Sequence, residues 1–146
     1  MKTTKSVGRL VSCIHRFTAI YFHKKFRPYH IGAGQIPLLM MLYHHEGINQ
    51  ECLAHHLLID KATCARAIQK LTKQGYVCRH IDDQDKRAYS IHLTEKGHAF
   101  QSTARAVLQE WTTTLLTDFT ENEKQMVFTL LEKMKKNAQN GIQHLE

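Results

Sequence analysis

The sequence predicts a mainly α chain with one small β-hairpin, an α+β fold in which a helix-turn-helix runs into a hairpin and long helices lie at both ends. Three observations predict it. Apolar residues recur at spacings of three and four along several stretches, the period of amphipathic helices. The stretch DKATCARAIQKLTKQGYV, Asp60 to Val77, reads as a capped basic helix, a glycine stop and the start of a strand. The stretch DDQDKRAYSIHLTEKG, Asp82 to Gly97, reads as a polar turn carrying Lys86 and Arg87, an alternating strand and the opening of another helix.

The elements follow in order. Val7, Leu10, Val11, Ile14, Phe17 and Tyr21 make one apolar stripe of a helix running from about Thr4 to Phe26, and Arg9, Arg16, Lys24 and Lys25 largely avoid it. Pro28, Gly32 and Gly34 break the chain. Ile36 to His45 is a second helix, with Pro37 tolerated in its first turn and Gly47 as its stop. Asn49 caps a short third helix, Gln50 to Leu57, which turns Leu53, Ala54 and Leu57 inward. Asp60 caps a fourth, Lys61 to Gln74, with Cys64, Ala67, Ile68 and Leu71 inside and Gly75 at the stop. Only Leu58 and Ile59 separate the third helix from the Asp60 cap, and two short helices joined so tightly form a helix-turn-helix whose second helix enters a groove.

Tyr76 to Ile81 and Ala88 to Leu93 are two short strands around a polar tip. Thr94 caps the next helix, and Glu95 in its first turn suits the helix dipole. Phe100, Ala104, Val107, Leu108, Trp111 and Leu115 give that helix its stripe. The last helix opens with a capping box, Thr120 and Glu123, and continues through Met126, Val127, Leu130, Leu131 and Met134. The expected organisation is a single domain over residues 1–146. In it, residues 34–96 form the winged helix-turn-helix lobe, and residues 1–30 and 98–146 supply dimerisation helices. Those terminal helices carry more apolar surface than the lobe can cover. Pairing between two copies suits a groove-reading module, because the pair can reach half-sites one helical turn apart.

Composition narrows the function. With 146 residues, 42% of them hydrophobic, the chain can bury a core and is no disordered tail. The longest apolar run, Ile36 to Tyr43, is too short to cross a bilayer, and the N-terminus lacks a signal-type apolar core, so the chain reads as soluble and cytoplasmic. The net charge of +7 is unevenly spread: residues 1–45 hold seven Lys/Arg and no Asp/Glu, whereas residues 97–146 hold five basic and six acidic residues. A basic first two-thirds points to a polyanion, with nucleic acid first in line; charge alone leaves a merely solvated basic surface as the alternative. The four cysteines, Cys13, Cys52, Cys64 and Cys78, contain no CxxC pair, so neither a zinc ribbon nor a thioredoxin motif is supported, and thiols are expected.

Asp85-Lys86-Arg87, then five residues, then Leu93-Thr94-Glu95-Lys96-Gly97 match the D-x-R wing and following L-T-x-x-G of the MarR family of transcriptional regulators, and the chain resembles that family over nearly its whole length. LAHHLLIDKATCARAIQKLTKQGYVCR, Leu53 to Arg79, is similar to the family's helix-turn-helix in length and register. The resemblance implies a homodimer of winged helices joined by terminal helices. It also implies binding to double-stranded operator DNA, usually repression relieved by a ligand or by oxidation.

Residue roles follow. Lys61, Ala62, Thr63 and Arg66 stand at the exposed start of the recognition helix, where small side chains let the backbone approach and Arg66 can read guanine. Lys70 and Lys73 suit phosphates or simply solvent, and Gln50 opens the supporting helix, a common phosphate-holding position. Arg87 at the hairpin tip can enter a narrow minor groove beside Lys86. Asp85 is expected to pair with Arg87 or a nearby base and so shape the wing, as the resemblance suggests.

By the same resemblance, a small anionic or aromatic effector would meet Arg16 and His15 on the first helix; the alternative for Arg16 is a subunit-interface or solvated residue. Cys13 is the candidate redox sensor, although the tyrosine partners of the family's sensing cysteine are missing, and an ordinary packed thiol is the alternative. Cys52, His55 and His56 share a helical face at a zinc-compatible spacing, but no fourth ligand is evident, and neither a metal nor a cofactor is expected. No nucleophile elbow, phosphate-binding glycine loop or paired-carboxylate site supports an enzyme. A winged-helix protein–protein module is the remaining alternative, and Arg66, Lys86 and Arg87 argue against it.

Overall fold

The computed structural model describes residues 5–145. Six α-helices and one hairpin follow in the expected order: α1 Val7–Phe26, α2 Ile36–His44, α3 Gln50–Leu57, α4 Lys61–Lys73, β1 Val77–Ile81, β2 Tyr89–Leu93, α5 Glu95–Leu115 and α6 Glu121–Gln143. Short 3-10 turns at Arg27–Tyr29 and Ala33–Gln35 join α1 to α2. The expected start near Thr4 lies outside the described residues. The helix itself begins at Val7, because Ser6 is extended and its Oγ accepts the Arg9 amide at 3.2 Å. At their C-terminal ends α2 and α4 each stop one residue short of the expected limit.

The core gathers under the helix-turn-helix. Phe26 of α1, Leu38, Leu39 and Leu42 of α2, Leu53 of α3, Cys64, Ile68 and Leu71 of α4, Val77 and Ile91 of the hairpin, and Phe100 and Ala104 of α5 are all buried. Phe100 is the pivot, with ring centroids 5.9 Å from Phe26 and 5.3 Å from Tyr76, in edge-on or tilted contact. The terminal helix α1 carries more apolar surface than this core covers, in line with its sequence pattern. Its contribution to the core comes from Phe26 and the half-buried Phe22 at its C-terminal end. Most of the apolar stripe noted in the sequence lies at the surface: Leu10 is 64% exposed, Ile14 47% and Phe17 58%.

Residues 47–49 add a contact that the pattern of strands did not suggest. Gly47 donates to the Ile91 carbonyl at 2.8 Å, the Ile91 amide donates to Ile48 at 3.0 Å, and Asn49 bridges Ser90. The approach to α3 thereby runs alongside β2, and the hairpin is hydrogen-bonded to the entrance of the helix-turn-helix. Between α3 and α4 the chain turns at Leu58, which takes a left-handed φ of 55° and is 78% exposed. A non-glycine residue in that region carries roughly 1–2 kcal/mol of local strain.

The L-T-x-x-G segment is where hairpin and α5 are locked. Thr94 Oγ1 accepts the Gly97 amide at 3.1 Å and donates to the Gly75 carbonyl, while the Thr94 amide donates to the Tyr76 carbonyl at 3.0 Å. A Cβ on Gly97 would lie 2.1 Å from that same Tyr76 oxygen, so only glycine fits. Tyr43 donates its hydroxyl to the Gly97 carbonyl at 2.8 Å, and burial pushes its pKa up to about 12, so it stays a donor at neutral pH. Lys96 closes the other side, donating to the Gln74 carbonyl at 2.7 Å and standing over the Tyr76 ring.

Two compact units result, one ending at Gln109 and the other beginning at Glu110, with the division inside α5. The second unit holds the end of α5 and all of α6. The capping box is formed as expected, with Thr120 accepting from Glu123 at 3.2 Å and Glu123 accepting from Thr120 at 2.9 Å. No residue of α6 is buried, and Met126, Phe128, Leu130 and Leu131 are exposed. No helix among the described residues is long and apolar enough to cross a membrane.

Candidate nucleic-acid interface

The site is built by three elements: the N-terminal ends of α3 and α4, and the wing between β1 and β2. Antiparallel pairing from Val77↔Leu93 to Ile81↔Tyr89 fixes the hairpin and leaves residues 82–88 as its tip. Two aspartates fold that tip. Asp82 Oδ1 accepts the Gln84 amide at 2.9 Å, and Asp85 Oδ1 accepts the Arg87 amide at 3.0 Å. Main-chain bonds from Asp82 to Ala88 and from Ala88 to Asp85 close the loop. Asp82 Oδ2 also accepts from Asn49 Nδ2 at 3.3 Å, tying the wing to the cap of α3. The Gln84 amide first, then Asn49, hold the Asp82 carboxyl below the usual carboxylate range.

Asp85 therefore shapes the wing through the Arg87 main chain, not by pairing with the Arg87 guanidinium. Among the described residues that guanidinium has no ion pair or hydrogen bond, and Arg87 and Lys86 are both exposed. At the wing's base Arg79 lies 5.0 Å over the Tyr89 ring, a brace that spacing alone did not reveal.

On α4, Asp60 caps the helix by accepting the Thr63 amide and hydroxyl, both at 2.7 Å, and those bonds hold its carboxyl below the usual range. Arg66 Nη2 donates to Thr63 Oγ1 at 3.2 Å, so the cap, the threonine and the guanidinium form one chain along the exposed first turns. Thr63 is thus engaged in steering Arg66. Ala62 and Lys70 are exposed as expected. Lys61 donates to Glu51 Oε1 at 2.8 Å. Gln50 opens α3 where expected, but its Oε1 is enclosed and has no hydrogen-bond partner among the described residues.

Between the helices and the wing lies a cleft of about 390 Å³, lined by Gln50, Glu51, Lys61 and Cys64 on one side and by Asp85, Arg87 and Tyr89 on the other. Cys64 is fully buried, and burial pushes its thiol up in pKa. Three cations, Lys61, Arg66 and Arg87, are thus presented by short, well-capped elements. Such an arrangement can hold a phosphate backbone and place a guanidinium in the minor groove of DNA.

The first-helix residues lie elsewhere. Arg16 and His15 are exposed, Arg16 donating to Ser12 Oγ at 2.9 Å, and Cys13 is half-buried; none of them lines the cleft. On α3, Cys52, His55 and His56 are exposed, with His56 Nδ1 2.9 Å from the Cys52 carbonyl. Sequence reading missed one cluster on the outer face of the hairpin. There Cys78 Sγ is 3.4 Å from His80 Nε2, and the His80 ring lies 4.5 Å from that of His92, directly across from Cys78. Among the described residues no group of three or more His, Cys, Asp or Glu is placed to hold a metal ion.

Residues 31–89 match the model of the MarR family. A Bacillus subtilis (strain 168) protein, described as an uncharacterized HTH-type transcriptional regulator, YybA, is 32% identical over 122 residues, spanning 84% of this chain and 81% of its own. A MarR transcriptional regulator from Methanosarcina mazei Go1 superposes with a TM-score of 0.90 at 42% identity, covering 92% of this chain and 96% of that one. A MarR family regulator from Listeria monocytogenes, solved in complex with a 26mer DNA, superposes with a TM-score of 0.84 at 28% identity over 92% of this chain and 89% of its own.

Proposed function

The chain belongs to the MarR family of transcriptional regulators, and from that premise we propose that it is a cytoplasmic repressor that binds a pseudo-palindromic operator as a homodimer. The observation that carries the reading is the pre-formed wing. Asp82 and Asp85 spend their carboxylates on main-chain amides, which leaves the Arg87 guanidinium free on the same cleft as Lys61. A cation held by a folded turn loses little side-chain and loop freedom on binding, so more of its interaction with DNA appears as affinity. In this reading α4 enters the major groove through Ala62, Thr63 and Arg66. Lys70, Gln50 and Lys61 meet phosphates, and Lys86 and Arg87 reach the neighbouring minor groove.

Residues 34–96 act as the reading lobe, and residues 1–30 and 98–146 pair two copies. The exposed apolar faces of α1 and α6 support that division. A small anionic effector held by Arg16 and His15 would change the separation of the two recognition helices, so that they no longer match successive major grooves, about 34–36 Å apart. Oxidation at Cys13 is the second route to the same release. The chain acts by binding, with no reaction of its own. Fluorescence anisotropy with a duplex from its own promoter region, at two salt concentrations, tests the proposal. Nanomolar binding that weakens steeply with salt and exceeds binding to a random duplex is expected. Equal affinity for both duplexes overturns sequence-specific regulation.

A further inference from the structure

Lys61 is the cation of the reading face whose charge is already matched by a carboxylate. Its Nζ lies 2.8 Å from Glu51 Oε1, and the two side chains are 81% and 69% exposed. Both residues line the cleft that Arg87 and Asp85 border from the wing side. Glu51 stands in the first turn of α3, where the positive end of a helix favours an anion. The pair joins the supporting helix to the recognition helix across the tight turn at Leu58, at the N-terminal ends of both helices. The hydrogen bond between them holds the Glu51 carboxyl below its ordinary range and raises the lysine. Being exposed, the pair is easily exchanged for another partner.

Resting on the DNA-binding reading above, we infer that Glu51 stands in for a DNA phosphate in the free protein: it holds the Lys61 ammonium on the reading face and competes with the duplex for it. Docking then exchanges a carboxylate for a phosphate at Lys61. That contact contributes less net affinity than the same lysine would contribute unpaired, while Arg87, which has no internal competitor among the described residues, contributes in full. Glu51 thereby restrains the sequence-independent part of binding and leaves a larger share of discrimination to groove contacts.

A double-mutant cycle tests this on the full chain. Wild type, Glu51→Gln, Lys61→Gln and the double variant are titrated by anisotropy against a promoter duplex and a random duplex of equal length. Glu51→Gln is expected to tighten binding to both duplexes by about 1.4- to fivefold, the range measured for exposed ion pairs. Lys61→Gln weakens both, and Glu51→Gln adds nothing once Lys61 is gone. Thermal melting checks that each variant is folded. No tightening by Glu51→Gln overturns the inference alone, as does an equal gain with and without Lys61, which would mark simple repulsion between acid and phosphate. A wild-type chain that binds neither duplex overturns the DNA-binding reading and this inference together.

Discussion

Single side chains on the wing divide into those proposed to meet DNA and those that hold the turn, and the division has opposite signs for charge. Arg87→Ala removes a guanidinium with no ion pair or hydrogen bond among the described residues, so it should weaken operator binding by about 1–3 kcal/mol and leave the melting temperature unchanged. Asp85→Ala removes a negative charge, which simple electrostatics expects to help. The structure says otherwise, since the Asp85 carboxylate holds the Arg87 amide. Affinity should therefore fall with Asp85→Ala and hold or rise with Asp83→Ala, its exposed neighbour, in parallel anisotropy titrations. Acid also acts through these groups. Asp60 and Asp82 have carboxyls held below their unfolded values, so their contribution is complete above the ordinary carboxylate pKa of about 4 and is lost as pH falls through the lowered folded values. Melting curves of wild type from neutral pH down through that range should fall more steeply than those of the Asp60→Ala/Asp82→Ala variant.

At the level of elements, the join between hairpin and α5 decides whether the wing has a fixed base. Gly97→Ala places a methyl 2.1 Å from the Tyr76 carbonyl oxygen, against backbone that cannot give way easily. Overpacking of that kind costs about 1–3 kcal/mol, to be read as a lower urea midpoint with little change in slope. The elements themselves were legible in the sequence because their limits are set locally. Asn49, Asp60 and Thr120 cap the helices expected of them, and Gly47 and Gly75 take the positive φ that ends a helix. The bridge from residues 47–49 to β2 was not legible, because three residues without alternation carry no strand signal and the bonds are main-chain. For the same reason the Asn49–Asp82 contact and the Cys78–His80–His92 cluster appeared only in three dimensions: their members are distant in sequence or are read singly as polar surface.

For the whole molecule, the apolar residues that do not enter the core are the informative ones. Leu10, Ile14 and Phe17 on α1 and Met126, Leu130 and Leu131 on α6 are about half exposed, and leaving such side chains partly in water forfeits roughly half of the about 1.5–3 kcal/mol that full burial of each contributes. Pairing of two copies through these helices is the proposed remedy. Phe17→Glu should therefore yield a monomer in sedimentation equilibrium and lose most operator affinity, since a single lobe reaches only one half-site. A Phe17→Glu protein that stays dimeric would move the interface off α1.

By itself the sequence determined the order and limits of the helices, the hairpin and its cationic tip, and the family whose motifs surround them. Capping, glycine stops and periodicity act over a few residues, so they can be read along the chain. Only the tertiary structure decided what those residues do to each other. It set Asp85 on a main-chain amide and paired Lys61 with Glu51 across a turn. It also made Gly97 the only residue that fits beneath Tyr76, and it left the α1 stripe outside the core. Each of these depends on distances between separate elements, and such distances are fixed by packing around Phe26, Phe100 and Tyr76 and not by any local preference of the chain.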